Sequence, residues 1–227
     1  MTTTILTRIL DFIAPEVCLE CNSEGIIWCD NCRLQYDPLP SRCFLCHSIT
    51  KDHKVCIKCR KNTKLNSVYV YGEYKDINQQ LIKAFKFGYK RHVGLPIAKS
   101  MANILPYYPP SEEVFLVPIP TVPSHIRQRG FDQTVILANE LSMQTGLKVK
   151  NILRRTTNIH QVGSNRSLRK LQIEGSFKYK LGGSGIPSHV ILVDDVVTTG
   201  ATLSEATKVL KENGVKKVDA VSFCYTT

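Results

Sequence analysis

The chain has 227 residues, 43% hydrophobic and 22% charged, which suits one or two globular domains and excludes a disordered chain. No apolar run approaches the length of a membrane-spanning helix, so a helical membrane protein is excluded too. The net charge of +11 falls on residues 61–227, which hold 23 Lys+Arg against 12 Asp+Glu; residues 1–60 balance at seven of each. Such a field attracts polyanions, whether pyrophosphate or nucleic acid.

Residues 3–13 place Ile5, Leu6, Ile9, Leu10, Phe12 and Ile13 at helical spacing, with Arg8 and Asp11 between them and no small-residue cleavage site. The segment reads as a short amphipathic helix and not a secretion signal, and the expected location is the cytoplasm.

Four C-x-x-C pairs follow: Cys18/Cys21, Cys29/Cys32, Cys43/Cys46 and Cys56/Cys59. Thiolates separated by two residues converge on one tetrahedral ion, and two pairs complete a four-cysteine zinc site, so four pairs imply two structural zincs. Disulfides would be unusual in a chain without a secretion signal. Sequential pairing assigns Cys18, Cys21, Cys29 and Cys32 to one ion and Cys43, Cys46, Cys56 and Cys59 to the other; a cross-braced pairing stays open. The segment has few apolar residues of its own, so its folding leans on metal. His47 and His53 lie near the second site and read as surface residues. The expected division is a metal-bound N-terminal segment, 1–62, and a second domain, 63–227.

Residues 67–74 alternate as a strand, and two helices are expected at about 76–87 and 93–105. Lys83, Lys86, Lys90 and Arg91 form a basic cluster there, interleaved with Tyr71, Phe85, Phe87, Tyr89, Tyr107 and Tyr108. Basic residues among aromatics are what a single-stranded nucleic acid groove uses, although most of these aromatics read as core. Residues 114–117 are a buried strand ending in P-I-P. The loop 121–133, T-V-P-S-H-I-R-Q-R-G-F-D-Q, leads into a helix reaching about residue 145. In that loop Arg127 and Arg129 flank a turn at Gly130 and are candidates to grip pyrophosphate, because guanidinium donors match phosphate oxygens in pairs.

A third strand is expected at 150–153, then a long basic loop, 154–176. Between residues 148 and 180 nine basic residues, including Arg154, Arg155, Arg166, Arg169 and Lys170, face one acid, Glu174. Gly182, Gly183 and Gly185 then link into residues 190–203, V-I-L-V-D-D-V-V-T-T-G-A-T-L. Val190 to Val193 are too few for a core helix and read as a buried parallel strand. Asp194 and Asp195 sit where it ends; then come Val197, Thr198, Thr199, Gly200, Ala201 and Thr202, and a helix stopped at Gly214. A loop after such a strand lies at the carboxyl edge of the sheet, where open α/β folds bind ligands. The next helix offers unsatisfied N–H groups to a phosphate, Gly200 allows close approach, and the threonine hydroxyls add donors. The two aspartates can accept hydrogen bonds from sugar hydroxyls and hold Mg2+ through water. Residues 217–225 close the sheet, with Cys224 in its core.

The run 190–203 resembles the phosphoribosyl pyrophosphate (PRPP) signature of type I phosphoribosyltransferases. Taken with the cysteine-rich ribbon, V-P-I-P, R-Q-R-G-F-D-Q and L-R-R-T-T-N-I-H-Q, the chain is similar to the ComF family of competence proteins. That resemblance implies an α/β type I phosphoribosyltransferase-like fold behind a double zinc ribbon, and a cytoplasmic role in handling incoming single-stranded DNA. It also implies a closing loop between residues 154 and 176. PRPP with Mg2+ is the implied ligand and other competence proteins are implied partners, with no membrane contact. Thr198 stands where 6-oxopurine salvage enzymes place an acid, and Met1-Thr2 lacks the cysteine nucleophile of the glutamine-dependent relatives. Three readings follow: a competence module that keeps PRPP binding, an active phosphoribosyltransferase, and a PRPP-sensing regulator.

Overall fold

The computed structural model describes residues 15–88, 90–156, 173–180 and 185–226; the helix expected at 3–13 lies outside them. Its strands are β1 (Val68–Glu73), β2 (Val114–Pro118), β3 (Lys148–Val149), β4 (Leu153–Arg155), β5 (Phe177–Tyr179), β6 (His189–Val197) and β7 (Lys217–Tyr225). Five of them form one parallel sheet in the order β1-β7-β6-β2-β3, while β4 and β5 pair as a separate antiparallel ribbon. The helices are α1 (Asp30–Arg33), α2 (Asp76–Phe87), α3 (Gly94–Ile104), α4 (Pro123–Arg129), α5 (Gln133–Thr145) and α6 (Ala201–Glu212).

β6 is the central strand because its residues are apolar on both faces. Ile191 and Val193 pack with Leu81 and Phe85 of α2, Met101 of α3 and Leu137 of α5, whereas Val190 and Leu192 pack with Leu203 and Leu210 of α6. The cysteine-rich region joins both layers. Ile27 and Trp28 enter the first, Trp28 lying edge-on to Tyr71 and Phe223; Cys43, Val55 and Leu65 enter the second. Between them, residues 39–55 run past the free edge of β1, where Leu39 N–H donates to Tyr71 O at 2.9 Å and Val68 N–H to His53 O at 3.0 Å.

Three local expectations change. β6 continues through both aspartates to Val197, because β7 pairs with it as far as Tyr225. Residues 123–129, expected as loop, form α4: Pro123 starts it with a preset φ, and Gly130 ends it at φ 74°. The strand expected at 150–153 is displaced to both sides. Lys148–Val149 pair with β2 at the sheet edge, while Leu153 turns into the ribbon opposite Tyr179 and buries against the α6 layer.

Candidate functional site

The site lies where β6 ends and α6 begins. Gly200 takes φ 71° and ψ 5° at the N-cap of α6, a left-handed backbone that glycine adopts without cost. The Thr199 hydroxyl accepts the Ala201 N–H at 3.3 Å and tightens the turn. Thr198 is exposed, Thr199, Ala201 and Thr202 are half-buried, and Val197 is buried beneath. The first N–H groups of a helix have no partner within it, so this turn opens onto donors suited to a phosphate.

The paired carboxylates have different neighbours. Asp195 is 4% exposed; its Oδ1 lies 2.9 Å from Lys86 Nζ at the end of α2, and its Oδ2 accepts from Gln133 Nε2 of α5 at 3.4 Å. Asp194 is half-buried and accepts the Asp195 N–H at 2.9 Å. Burial and the adjacent Asp195 carboxylate push the Asp194 carboxyl up to about 7, against the opposing pull of Lys86 and Arg155.

Two arginines from other elements lie in this region, and one of them, Arg155, acts on Asp194. Arg129, the last residue of α4, is 8% exposed; its guanidinium lies 5.6 Å over the Phe87 ring, and among the described residues its Nε and Nη1 have no hydrogen-bond partner. Arg155 of β4 stacks over Phe177 at 5.1 Å and donates from Nη1 to Pro120 O at 3.4 Å. Burial draws Arg155 below the usual guanidinium range, while Asp194 pulls it back up. His125 of α4 is held below its ordinary range by burial, then by Arg129, Arg155 and Lys86, so one imidazole feels all three cations.

Of the two arginines expected at pyrophosphate, Arg129 is buried against Phe87 and Arg127 is exposed on the same helix. The basic cluster divides as well. Lys86 is part of the carboxylate site; Lys90 pairs with Glu16 at 2.9 Å; Arg91 donates to Gly130 O at 2.7 Å and lies over the Phe131 ring; Lys83 is exposed and bonds Gln79. Arg154 is exposed, and Arg166, Arg169 and Lys170 lie outside the described residues, as does most of the loop expected to close over the site. Sequence reasoning misses Gln133 and His125 as site residues, although both sit in the run 121–133. No local signal marks Lys86 as the partner of Asp195.

The cysteines form two groups, Cys18, Cys21, Cys29 and Cys32, and Cys43, Cys46, Cys56 and Cys59, with the sulfurs of each group within 4.8 Å of one another. This selects sequential pairing. Cys21 and Cys29 sulfurs are 3.7 Å apart and Cys46 and Cys56 sulfurs 3.6 Å, close to the edge of about 3.8 Å that Zn–S bonds of about 2.3 Å give a tetrahedron. Two sets of four thiols at this spacing fit zinc. The first half of each site is the same turn used twice. Cys18 N–H bonds Ser23 O at 2.8 Å and Cys43 N–H bonds Ser48 O at 2.9 Å, and Asn22 and His47 both take φ 58°. His47 lies against Tyr225 and His53 against Tyr69, and neither joins a cysteine group.

A doubly covered parallel sheet with acidic residues and a glycine turn at its carboxyl edge defines a phosphoribosyltransferase-type domain. The chain belongs to the phosphoribosyl transferase domain family, which it matches over residues 93–226. It is similar to Competence protein F of Haemophilus influenzae, with 27% identity over 201 residues, 84% of this chain and 86% of the relative. Competence protein ComFC of Bacillus subtilis is 27% identical over 224 residues, 87% of this chain and 90% of the relative. The DNA utilization protein YhgH of Escherichia coli is 33% identical over 103 residues, 44% of each chain. The ComF resemblance drawn from the motifs is thus borne out. Among the described residues no helix is long and apolar enough to cross a membrane.

Proposed function

We propose that this is a ComF-type competence protein that handles incoming single-stranded DNA in the cytoplasm during natural transformation, and that it binds PRPP or a ribose 5-phosphate-like ligand at the end of β6. In this reading residues 1–62 are the zinc-bound segment and 63–227 the ligand-binding domain. The observation that carries the ligand is Arg129: a buried cation with two nitrogens unpartnered among the described residues is costly unless an anion joins it, and its charge reaches His125 together with those of Arg155 and Lys86, the two cations that act on Asp194. The turn at residues 197–202 holds the 5-phosphate, Asp194 and Asp195 accept from the ribose hydroxyls, and Arg129, with Arg127 at the rim, takes the pyrophosphate. Mg2+, held through water by the aspartates, would neutralise charge on the bound pyrophosphate. The DNA role is supported by the relatives named as competence proteins and as a DNA utilization protein, and by the excess of basic residues in 61–227.

A second reading, pentosyl transfer from PRPP to an acceptor, is favoured by Asp194, whose carboxyl near 7 suits a group that takes or gives a proton at neutral pH. Calorimetric titration of the full chain with PRPP and Mg2+, and fluorescence titration with a labelled DNA single strand over a salt series, test the proposal. Saturable PRPP binding and DNA affinity that falls steeply with salt are expected. No PRPP binding would remove the ligand assignment, and salt-independent DNA binding or none would remove the DNA role.

A further inference from the structure

We propose that Phe44, carried between Cys43 and Cys46 of the second cysteine cluster, positions the phosphate turn at 198–202, so that the integrity of that cluster sets the turn's affinity for a sugar phosphate. This rests on the reading of the turn as a phosphate seat.

The contact is direct. A Cβ added at Gly200 would overlap the Phe44 ring, so the ring lies against the α-carbon of the residue that starts α6. Glycine is required there twice, for its positive φ and for the room that Phe44 takes. Cys43, wholly buried, shares one apolar cluster with Val197 before the turn and Leu203 after it. The knuckle and both ends of the turn are therefore one packed body, and close-packed interiors transmit displacement.

The duplication of the knuckle shows what is specific to the second copy. The two residues between the first cysteines are Leu19 and Glu20 in one copy and Phe44 and Leu45 in the other. Leu19 and Glu20 are exposed, whereas Phe44 and Leu45 are half-buried. Phe44 meets Gly200, and Leu45 lines a cleft with Thr199, Ala201 and Ser204. The first knuckle instead joins the layer of Tyr71 and Phe223 on the other face of the sheet. A cluster that only stapled the chain would not need an aromatic ring on the phosphate turn. With the ring in place the turn is held in its bound shape in advance, which spares ordering entropy on binding.

The test titrates the full zinc-loaded chain with ribose 5-phosphate and separately with inorganic pyrophosphate, in wild type, Phe44→Ala and Phe44→Tyr. The expected result is a loss of ribose 5-phosphate affinity on the order of tenfold in Phe44→Ala, unchanged pyrophosphate affinity, and recovery in Phe44→Tyr. Wild-type affinity for both ligands in Phe44→Ala would overturn the positioning role and leave the phosphate seat standing. An equal fall for both ligands would mean general collapse and would overturn it too. If wild type fails to bind ribose 5-phosphate, the seat itself fails and this proposal with it.

Discussion

Asp194 and Asp195 are adjacent in β6, yet among the described residues only Asp195 has a cation within ion-pair distance, Lys86 Nζ at 2.9 Å. One carboxylate is thereby neutralised before any ligand arrives and the other is left strained by burial and by its neighbour's charge. Each predicts a different behaviour.

Removing Lys86 leaves Asp195 buried without its counter-ion. Lys86→Met is expected to cost about 3–5 kcal/mol in denaturant unfolding, the usual penalty for breaking a buried pair. Adding Asp195→Asn to that variant removes the orphaned charge and should recover much of the loss. Equal stability of the single and double variants would show that the pair is not coupled.

Asp194 carries a raised carboxyl, so between the ordinary carboxylate value of about 4 and about 7 the folded chain holds a proton that the unfolded chain has released. Stability contributed at this residue is therefore present below about pH 4 and lost as pH climbs toward about 7. Asp194→Asn should raise the melting temperature at about pH 8 while abolishing tight PRPP binding. Wild-type affinity for PRPP with Mg2+ should increase from about pH 6 to about pH 8 as the carboxylate forms. A flat affinity profile over that range, in calorimetry, would argue against Asp194 as a ligand group.

Arg129 and Arg127 sit two residues apart but differ in burial. Arg129→Met is expected to weaken pyrophosphate binding by roughly ten- to a hundredfold, the worth of a charge-assisted hydrogen bond, with little loss of stability because its Nε and Nη1 have no partner among the described residues to leave behind. Arg127→Met should change affinity far less. Titration of both variants at fixed salt separates them, and equal effects would place the pyrophosphate at the helix surface.

Metal analysis should find two zincs per chain, and chelation should unfold the cysteine-rich segment. The single tryptophan reports this directly. Trp28 is wholly buried against Tyr71 and Phe223, so its emission should shift to the red when the first cluster opens. Eight reactive thiols and no metal in native protein would refute the clusters.

What could be seen beforehand was whatever lies close along the chain. The strand, aspartates, glycine turn and helix of 189–212 are one contiguous segment, and each cysteine pair is set by a two-residue spacing, so both were legible. The partner of Asp195 was not, because Lys86 arrives from a helix after β1 and only the sheet order brings the two together. The same holds for Arg129. Its pattern makes it a candidate phosphate ligand, but whether it is buried depends on α4, whose Pro123 and Gly130 signals lie inside a run that reads as loop. Cysteine pairing stayed open because spacing alone does not say which knuckles meet.

The passage of residues 39–55 along the outer rim of β1 bears on how copies of this protein meet one another. Backbone groups of Val68 and Tyr71 that would otherwise template a foreign strand are already taken by Leu39 and His53, and the opposite rim, β3, is only two residues long. One border of the sheet is thus partly occupied and the other is short, which leaves little backbone for strand addition and guards against the aggregation that open sheet edges invite.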